Sequence, residues 1–238
     1  MALRLKRLNL IESRQELEYL PRKKMMINTI NAHSYNVAQR DELFAEALMA
    51  DKLIPDGASI VWACKWLKAK SRPKERIAGW DLFVTEMKRM KEGETVMFMG
   101  SSNKVLSLIK ERAAKDYPAL NIVTYSPPYK AEFSLEENND IINAINQAKP
   151  NLLWIGMTAP KQEKWVYENW LQLDIDCHVG AIGAVFDFYA GTAKRAPEGW
   201  QRHGTEWLYR LLKEPRRMWR RYLVGNVKFL YYITKERL

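Results

Sequence analysis

Short apolar runs alternate along the chain with longer segments in which apolar residues recur every three or four positions. A short run bounded by polar residues or glycine is typical of a buried strand, and a 3.6-residue period is typical of a helix. The runs predict strands at 25–29, 95–100, 121–125, 151–156 and 177–182. The periodic segments predict helices at 37–50, 58–68, 82–91, 103–116, 135–148, 161–171 and 199–213. This alternation predicts an α/β fold, with a Rossmann-like, mostly parallel sheet flanked by helices.

The character of the chain changes after about residue 205. Residues 207–238 contain nine Lys or Arg against two acids, so this segment supplies +7 of the net charge of +10. Pro215 divides it into two predicted helices, because proline cannot continue a helix from the preceding turn. Beyond the proline, apolar residues recur at helical spacing (Trp219, Leu223, Val227, Leu230) beside a cluster of arginines (Arg216, Arg217, Arg220, Arg221). A basic amphipathic helix is typical of a membrane-surface element. We predict a core over 1–205 and a basic helical C-terminal appendage over 206–238.

Composition narrows the class of protein. The 238 residues are 47% hydrophobic and 28% charged, which suits a soluble globular core. Cys64 and Cys177 lie far apart with no metal-ligand spacing, which indicates a reduced setting. No run approaches the roughly 20 apolar residues of a transmembrane helix, so the chain is not expected to span a membrane. The net positive charge predicts an anionic partner.

The segment Pro55-Asp56-Gly57 raises the first chemical question. Proline presets φ, aspartate hydrogen-bonds its own backbone and glycine supplies a positive φ, so the segment predicts a tight turn without any chemistry. Asp56 is therefore either a turn residue or a carboxylate that the turn presents to a site.

Further polar clusters follow the predicted strands, where ligands bind in open α/β sheets. They are Asn28–Asn31, Gly100–Asn103, Gly156–Glu163 and Gly183–Pro197. Each has a structural interpretation: Gly100–Asn103 is more often a helix cap than a phosphate cradle, and Asp187 and Arg195 would make an ordinary ion pair. His33, His178 and His203 are scattered and are expected to be structural, and no metal-binding constellation is visible. None of these clusters alone identifies a function.

Taken in order, the motifs resemble those of the WecG/TagA/CpsF family of bacterial glycosyltransferases over residues of about 25 to 222. The residues that carry the resemblance are Thr29-Ile30-Asn31, Pro55-Asp56-Gly57, Arg76-Ile-Ala-Gly79-Trp-Asp81, Gly100, Gly156…Pro160-Lys-Gln162-Glu163, Gly180…Gly183…Phe186-Asp187…Gly191, Lys194-Arg195-Ala-Pro197, Glu206-Trp207-Leu-Tyr-Arg210 and Glu214-Pro215-Arg216. One departure is Thr158, where many members are expected to carry glycine, and the first 24 residues match poorly.

The resemblance implies an inverting, metal-independent transferase without a cofactor. It would move an N-acetylmannosamine-type sugar or a related hexose from a UDP-sugar to a saccharide on a polyprenyl diphosphate. The reaction would serve the synthesis of teichoic acid, exopolysaccharide or other cell-envelope polysaccharide, and the enzyme would lie peripherally on the cytoplasmic face of the bacterial inner membrane. A homo-oligomer is compatible with this description.

The resemblance also assigns roles to residues. Asp56 is the expected general base, because an acceptor hydroxyl must lose a proton as it attacks, and Thr29 is placed beside it as catalytic. The expected substrate-binding residues are Asn31, Arg76, Gly100, Gln162, Asp187 and Arg195. The expected ligands of the lipid diphosphate and headgroups are Arg210, Arg216, Arg217, Arg220 and Arg221; their alternative role is a solvated helix face.

Two other functions remain as alternatives. A nucleic-acid-binding protein would also be basic and rich in aromatic residues, but it predicts cations spread over the core. Residues 1–206 carry 29 Lys or Arg against 26 acids, close to neutral, so the charge distribution favours an anionic membrane surface over nucleic acid. The other alternative is a non-catalytic protein that binds sugar nucleotides at the membrane surface.

Overall fold

The computed structural model describes residues 3–202 and 204–238. Within these residues, six strands form one parallel sheet in the order β2-β1-β6-β5-β3-β4. Their bounds are Met25–Ile30 (β1), Lys52–Pro55 (β2), Thr95–Gly100 (β3), Asn121–Tyr125 (β4), Leu152–Gly156 (β5) and His178–Ala181 (β6). In register, Met25 faces His178 and Val96 faces Leu152. The predicted α/β class with a parallel sheet is confirmed.

Helices connect the strands and flank the sheet. Their bounds are Arg14–Glu18 (α1), Ala32–Ala38 (α2), Glu42–Met49 (α3), Ala58–Leu67 (α4), Gly79–Arg89 (α5), Asn103–Asp116 (α6), Leu135–Ala148 (α7), Lys161–Asn169 (α8), Val185–Ala190 (α9), Glu198–Arg202 (α10), Glu206–Lys213 (α11), Pro215–Trp219 (α12) and Gly225–Arg237 (α13). A π-helical turn, Arg220–Val224, joins α12 to α13, and a 3-10 turn spans Leu5–Arg7. The predicted break at Pro215 is confirmed, with the proline in the first turn of α12.

Three local predictions differ from the structure. The strand β2 was not predicted, because a four-residue run ending in proline is too short to show an alternating pattern. The predicted helix 37–50 is two helices, since Asp41 caps a new one by accepting a hydrogen bond from the Phe44 N–H. The predicted helix 199–213 is also interrupted, and Gly204 there has a φ of 68°.

Glycine allows close packing on the central strands. A Cβ at Gly180 of β6 would lie 2.3 Å from the Trp154 ring, and a Cβ at Gly156 of β5 would lie 2.5 Å from the Phe186 ring. Side chains at these positions would displace buried aromatic rings. At Gly180, the close neighbour is thus an indole of the protein itself.

The described residues form two compact units. The first is drawn from the ranges Met1–Glu16, Thr29–Ala78 and Lys194–Leu238, and the second from Leu17–Asn28 and Gly79–Ala193. The core of the first unit includes Leu5, Phe44 and Ile60 together with Phe229 and Ile233 of α13. The core of the second includes the β5 residues Leu153 and Ile155. The C-terminal helix therefore packs as part of the first unit. The division into a core over 1–205 and a membrane-binding appendage over 206–238 stays a prediction.

Candidate functional site

Asp56 lies in the connection between β2 and α4. Its backbone N–H donates to the Ile30 carbonyl at 2.8 Å, which joins the end of β2 to the end of β1. Gly57 caps α4 with a φ of 172°, which is extended backbone, so the prediction of a positive φ there was wrong. The segment is a strand-to-helix connection, and it holds the half-buried Asp56 side chain beside the end of β1.

Asn31 lies next to this connection. A Cβ built on Gly57 would be 3.5 Å from the Asn31 Cβ. The Asn31 side-chain oxygen accepts from the backbone N–H groups of His33 (3.0 Å) and Ser34 (3.1 Å), while the Ser34 hydroxyl accepts from the Asn31 N–H. This capping box fixes the start of α2. Thr29, half-buried near the end of β1, belongs to the same edge of the first unit.

Two predicted arginines meet at one carboxylate. Glu206, in the first turn of α11, lies 3.1 Å from Arg76 Nη1 and 3.9 Å from Arg195 Nε. The three side chains are largely buried, with 14–19% of each exposed. The backbone N–H of Ile77 donates to the Pro55 carbonyl at 3.0 Å, so Arg76 is tied to the Asp56 connection. The structure thus brings Asn31, Asp56, Arg76 and Arg195 together in the first unit.

Arg221 differs from its neighbouring arginines. Arg216, Arg217 and Arg220 are exposed, whereas Arg221 is half-buried and, within the described residues, its Nε has no hydrogen-bond partner. The pKa of the Arg221 guanidinium is lowered, chiefly by burial. Tyr222 and Asp56 act in the opposite direction, and Arg210 adds to the lowering. Arg221 therefore contributes to the electrostatic environment of the Asp56 connection, and Arg210 acts on Arg221.

His33 is a member of this cluster that the sequence did not reveal. Burial, followed by the charge of Arg221, lowers the pKa of His33 to about 4. The imidazole is consequently neutral at pH 7. Its position two residues after the Thr29-Ile30-Asn31 motif was the one signal in the sequence. His203, also expected to be structural, lies outside the described residues.

The other predicted substrate residues lie in the second unit. Gly100 has a φ of 120°, and a Cβ there would lie 2.5 Å from the Gly156 carbonyl oxygen. The Ser101 N–H donates to that same oxygen at 2.9 Å, so glycine permits β3 and β5 to end in close contact. Ser102 caps α6, which confirms the cap interpretation of Gly100–Asn103. Asp187 in α9 is half-buried and accepts a hydrogen bond from the Thr192 hydroxyl at 3.1 Å.

Gln162 is buried and holds the loop after β5. Its side-chain oxygen accepts from the Met157 N–H at 3.2 Å, and its amide nitrogen donates to Glu163 Oε1 at 2.9 Å. Glu163 is buried as well, and burial raises the pKa of its carboxyl to about 7. The family resemblance implies that Gln162 binds substrate, which stays a prediction; its hydrogen bonds here are with its own loop and its neighbour.

The C-terminal helices have two faces. Met218, Phe229 and Ile233 are buried, whereas the predicted apolar stripe, Trp219, Leu223, Val227 and Leu230, is 43–68% exposed. Within residues 3–202 and 204–238, none of the helices has both the length and the apolarity to cross a bilayer. The same described residues contain no group of three or more metal-ligating side chains.

Comparison with known proteins agrees with the motifs. The model of the glycosyl transferase WecG/TagA/CpsF family matches residues 2–238. The chain belongs to this family. The match is longer than the stretch of about 25–222 expected from the motifs. A Bacillus spizizenii protein is 31% identical over 215 residues, covering 89% of this chain and 80% of that protein. A Bacillus subtilis protein is 28% identical over 213 residues, covering 89% and 79%. Both relatives are named N-acetylglucosaminyldiphosphoundecaprenol N-acetyl-β-D-mannosaminyltransferase.

Proposed function

We propose that this glycosyltransferase moves an N-acetylmannosamine-type sugar or a related hexose from a UDP-sugar to a saccharide on a polyprenyl diphosphate. The names of the two relatives support the type of sugar and the lipid-linked acceptor. The observation that carries the proposal is the placement of Asp56 beside Asn31 and Arg76 in the first unit. The product would serve cell-envelope polysaccharide synthesis.

Asp56 is the proposed general base. The acceptor oxygen forms a bond to the anomeric carbon, the hydroxyl proton passes to the Asp56 carboxylate, and the bond between the sugar and UDP breaks. A single displacement of this kind inverts the anomeric centre. Positioned proton transfer contributes about 10²–10⁴-fold to rate. Thr29 and Asn31 are proposed to orient the acceptor at this carboxylate.

Arginines are proposed to stabilise the phosphates without a metal. UDP leaves as an anion, and preorganised positive groups stabilise charge that develops in the transition state. Arg76 and Arg195 have planar guanidinium groups suited to phosphate oxygens. Arg210 and Arg221 would add positive charge, and the buried Nε of Arg221 supplies a donor. Gly100, Gln162 and Asp187 of the second unit are the remaining proposed substrate-binding residues, Gln162 acting through the loop it holds.

The exposed face of the C-terminal helices is proposed to bind an anionic membrane surface. Arg216, Arg217 and Arg220 are exposed beside the apolar stripe. Cations near an anionic bilayer contribute about 1 kcal/mol each, and exposed apolar residues gain by entering the interface. Nucleic acid would use the cations and leave the apolar stripe in water. The proposed location is the cytoplasmic face of the inner membrane, as the family resemblance implies.

The test is UDP release from UDP-N-acetylmannosamine with a short-chain polyprenyl diphosphate that carries the acceptor saccharide, with and without a chelator. Asp56→Asn is expected to lower turnover about 10²-fold or more while the unfolding midpoint stays unchanged. Asp51→Asn, which changes an exposed aspartate just before β2, is the matched control and should retain activity. Near-normal turnover by folded Asp56→Asn would refute the role of the base. Binding of the UDP-sugar without UDP release from any polyprenyl acceptor would favour a non-catalytic binding protein.

A further inference from the structure

Helix α4 carries two neighbouring tryptophans, an exposed Trp62 and a half-buried Trp66 that packs against the core of the first unit. Ile60, Ala63 and Leu67 are buried against the core of the first unit. Trp62 is 48% exposed, and its ring stacks on that of Trp66 with centroids 5.5 Å apart and planes at 13°. The exposed part of the Trp62 ring is therefore available to a partner surface.

Basic residues follow this aromatic pair in the chain. Residues 65–74 contain five basic residues and no acid, namely Lys65, Lys68, Lys70, Arg72 and Lys74, and all five are exposed. The Lys70 N–H donates to the Lys6 carbonyl at 2.9 Å, which places the exposed Lys6 and Arg7 beside the same segment. We call Trp62, Trp66 and the five cations of 65–74 the α4 patch.

The α4 patch is continuous with the exposed face of the C-terminal helix. The Arg237 guanidinium lies 4.5 Å from the Trp66 ring centroid, and its Nη1 donates to the Trp66 carbonyl at 3.2 Å. Arg237 follows Leu230 and Thr234 at helical spacing, and all three are exposed. The exposed face of α13 that carries Leu230 therefore reaches Trp66 at Arg237, and the two surfaces meet there.

We propose that the α4 patch is a second membrane-contact surface, which binds anionic phospholipid headgroups through its cations and seats Trp62 at the level of the headgroups. Tryptophan beside basic residues is typical of the membrane interface. The neighbouring apolar stripe favours a bilayer over nucleic acid, which would leave Leu230 in water. This inference rests on the proposed function for its lipid-linked acceptor.

The α4 patch has a consequence for the position of the base. Helix α4 begins at Ala58, two residues after Asp56. A headgroup contact at Trp62 and Lys65 therefore places the Asp56 connection within about two helical turns of the lipid phosphates. An acceptor whose diphosphate lies at the headgroup level would reach Asp56 without leaving the bilayer surface.

The test compares binding to vesicles of 30% phosphatidylglycerol in phosphatidylcholine with binding to pure phosphatidylcholine vesicles. The patch variant is Trp62→Ser combined with Lys65→Gln, Lys68→Gln and Lys70→Gln. The control is Lys104→Gln, Lys110→Gln and Lys115→Gln, which removes as many charges from exposed positions of α6. The patch variant is expected to bind anionic vesicles about tenfold or more weakly, whereas the control should change binding less than about twofold.

Separate measurements distinguish the two proposals. UDP release with a water-soluble acceptor should be the same in the patch variant as in the wild-type protein. If the wild-type protein releases no UDP, the proposed function is refuted and the α4 patch is not. Wild-type vesicle binding by a folded patch variant would overturn the α4 patch. If Leu223→Ser, Val227→Ser and Leu230→Ser together then abolish binding, the C-terminal helix is the whole surface. Patch-dependent binding to nonspecific duplex DNA without vesicle binding would overturn both membrane proposals.

Discussion

Removal of the Glu236 carboxylate should release the end of the C-terminal helix from the first unit. This carboxylate accepts hydrogen bonds from the backbone N–H groups of Leu5 (3.0 Å) and Lys6 (2.5 Å) and from the Tyr35 hydroxyl (2.7 Å). Leu5 and Tyr35 are buried, so their donors would be left without partners, whereas water replaces the bond at the exposed Lys6. The loss in the free energy of unfolding therefore comes from the two buried hydrogen bonds.

The magnitude follows from these contacts. A hydrogen bond to a charged group contributes about 1.5–3 kcal/mol, so Glu236→Ala should lower the free energy of unfolding by about 3–5 kcal/mol. Glu236→Gln keeps one carbonyl acceptor and should cost about 1–3 kcal/mol. The larger loss is a substantial part of the about 5–15 kcal/mol that stabilises a typical protein.

Urea unfolding at pH 7, followed by tryptophan fluorescence, measures this loss. Glu214→Gln is the matched control, because that exposed carboxylate pairs with exposed Arg217 and should contribute less than about 0.5 kcal/mol. A double-mutant cycle with Tyr35→Phe should show coupling of about 1 kcal/mol. A Glu236→Ala loss below about 0.5 kcal/mol, or no coupling, would contradict the reasoning.

The pH dependence provides an independent check of the same contact. Burial, followed by the hydrogen bond to Glu236, raises the pKa of Tyr35 above its ordinary value of 10. The folded state therefore holds the phenolic proton more tightly than the unfolded state does. The stability from this group is fully present below pH 10 and is lost as the pH rises beyond it. Tyr35→Phe should remove that alkaline loss.

Two further variants test groups near the predicted substrate residues. Glu206→Gln should lower UDP release about tenfold or more, because Arg76 and Arg195 lose the carboxylate that pairs with both, whereas Glu214→Gln should be near normal; equal kinetics would refute this role. Burial raises the pKa of Glu163 from 4.5 to about 7. The contribution of this carboxyl to the free energy of unfolding is therefore fully present below pH 4.5 and is lost as the pH rises through 7. Glu163→Gln should remove up to about 3 kcal/mol of that dependence in urea unfolding, and a retained dependence would contradict it.

Local signals in the sequence were sufficient for most of the regular structure. The strand 95–100 and the helices 103–116 and 135–148 have the predicted bounds. The strand is a clear apolar run, and each of the two helices combines a hydrophobic period with a serine cap at its start. Pro215 marked a helix boundary for a similar local reason. The order of the short motifs identified the family, because that order can be compared between sequences without knowing which residues contact one another.

Non-local contacts were beyond this reasoning. The strand β2 is four residues long, and its place is set by the hydrogen bond from Asp56 to Ile30. The role of Glu206 as a shared partner of Arg76 and Arg195 depends on Arg76, which lies 130 residues from Glu206 in the chain. The arginine cluster of 216–221 appeared uniform in sequence, yet Arg221 alone is half-buried, because it lies on the inward side of the helix.

By itself the sequence determined the parallel α/β class, the amphipathic C-terminal helix and the motifs of a glycosyltransferase family, because each is encoded by spacing within a short window. Only the tertiary structure decided which charged residues meet. It joined Asn31, Asp56 and Arg76 through backbone hydrogen bonds and close packing, and it placed Arg237 on Trp66. These pairings depend on burial and on the path of the chain between distant segments, and the spacing of residues in the sequence predicts neither.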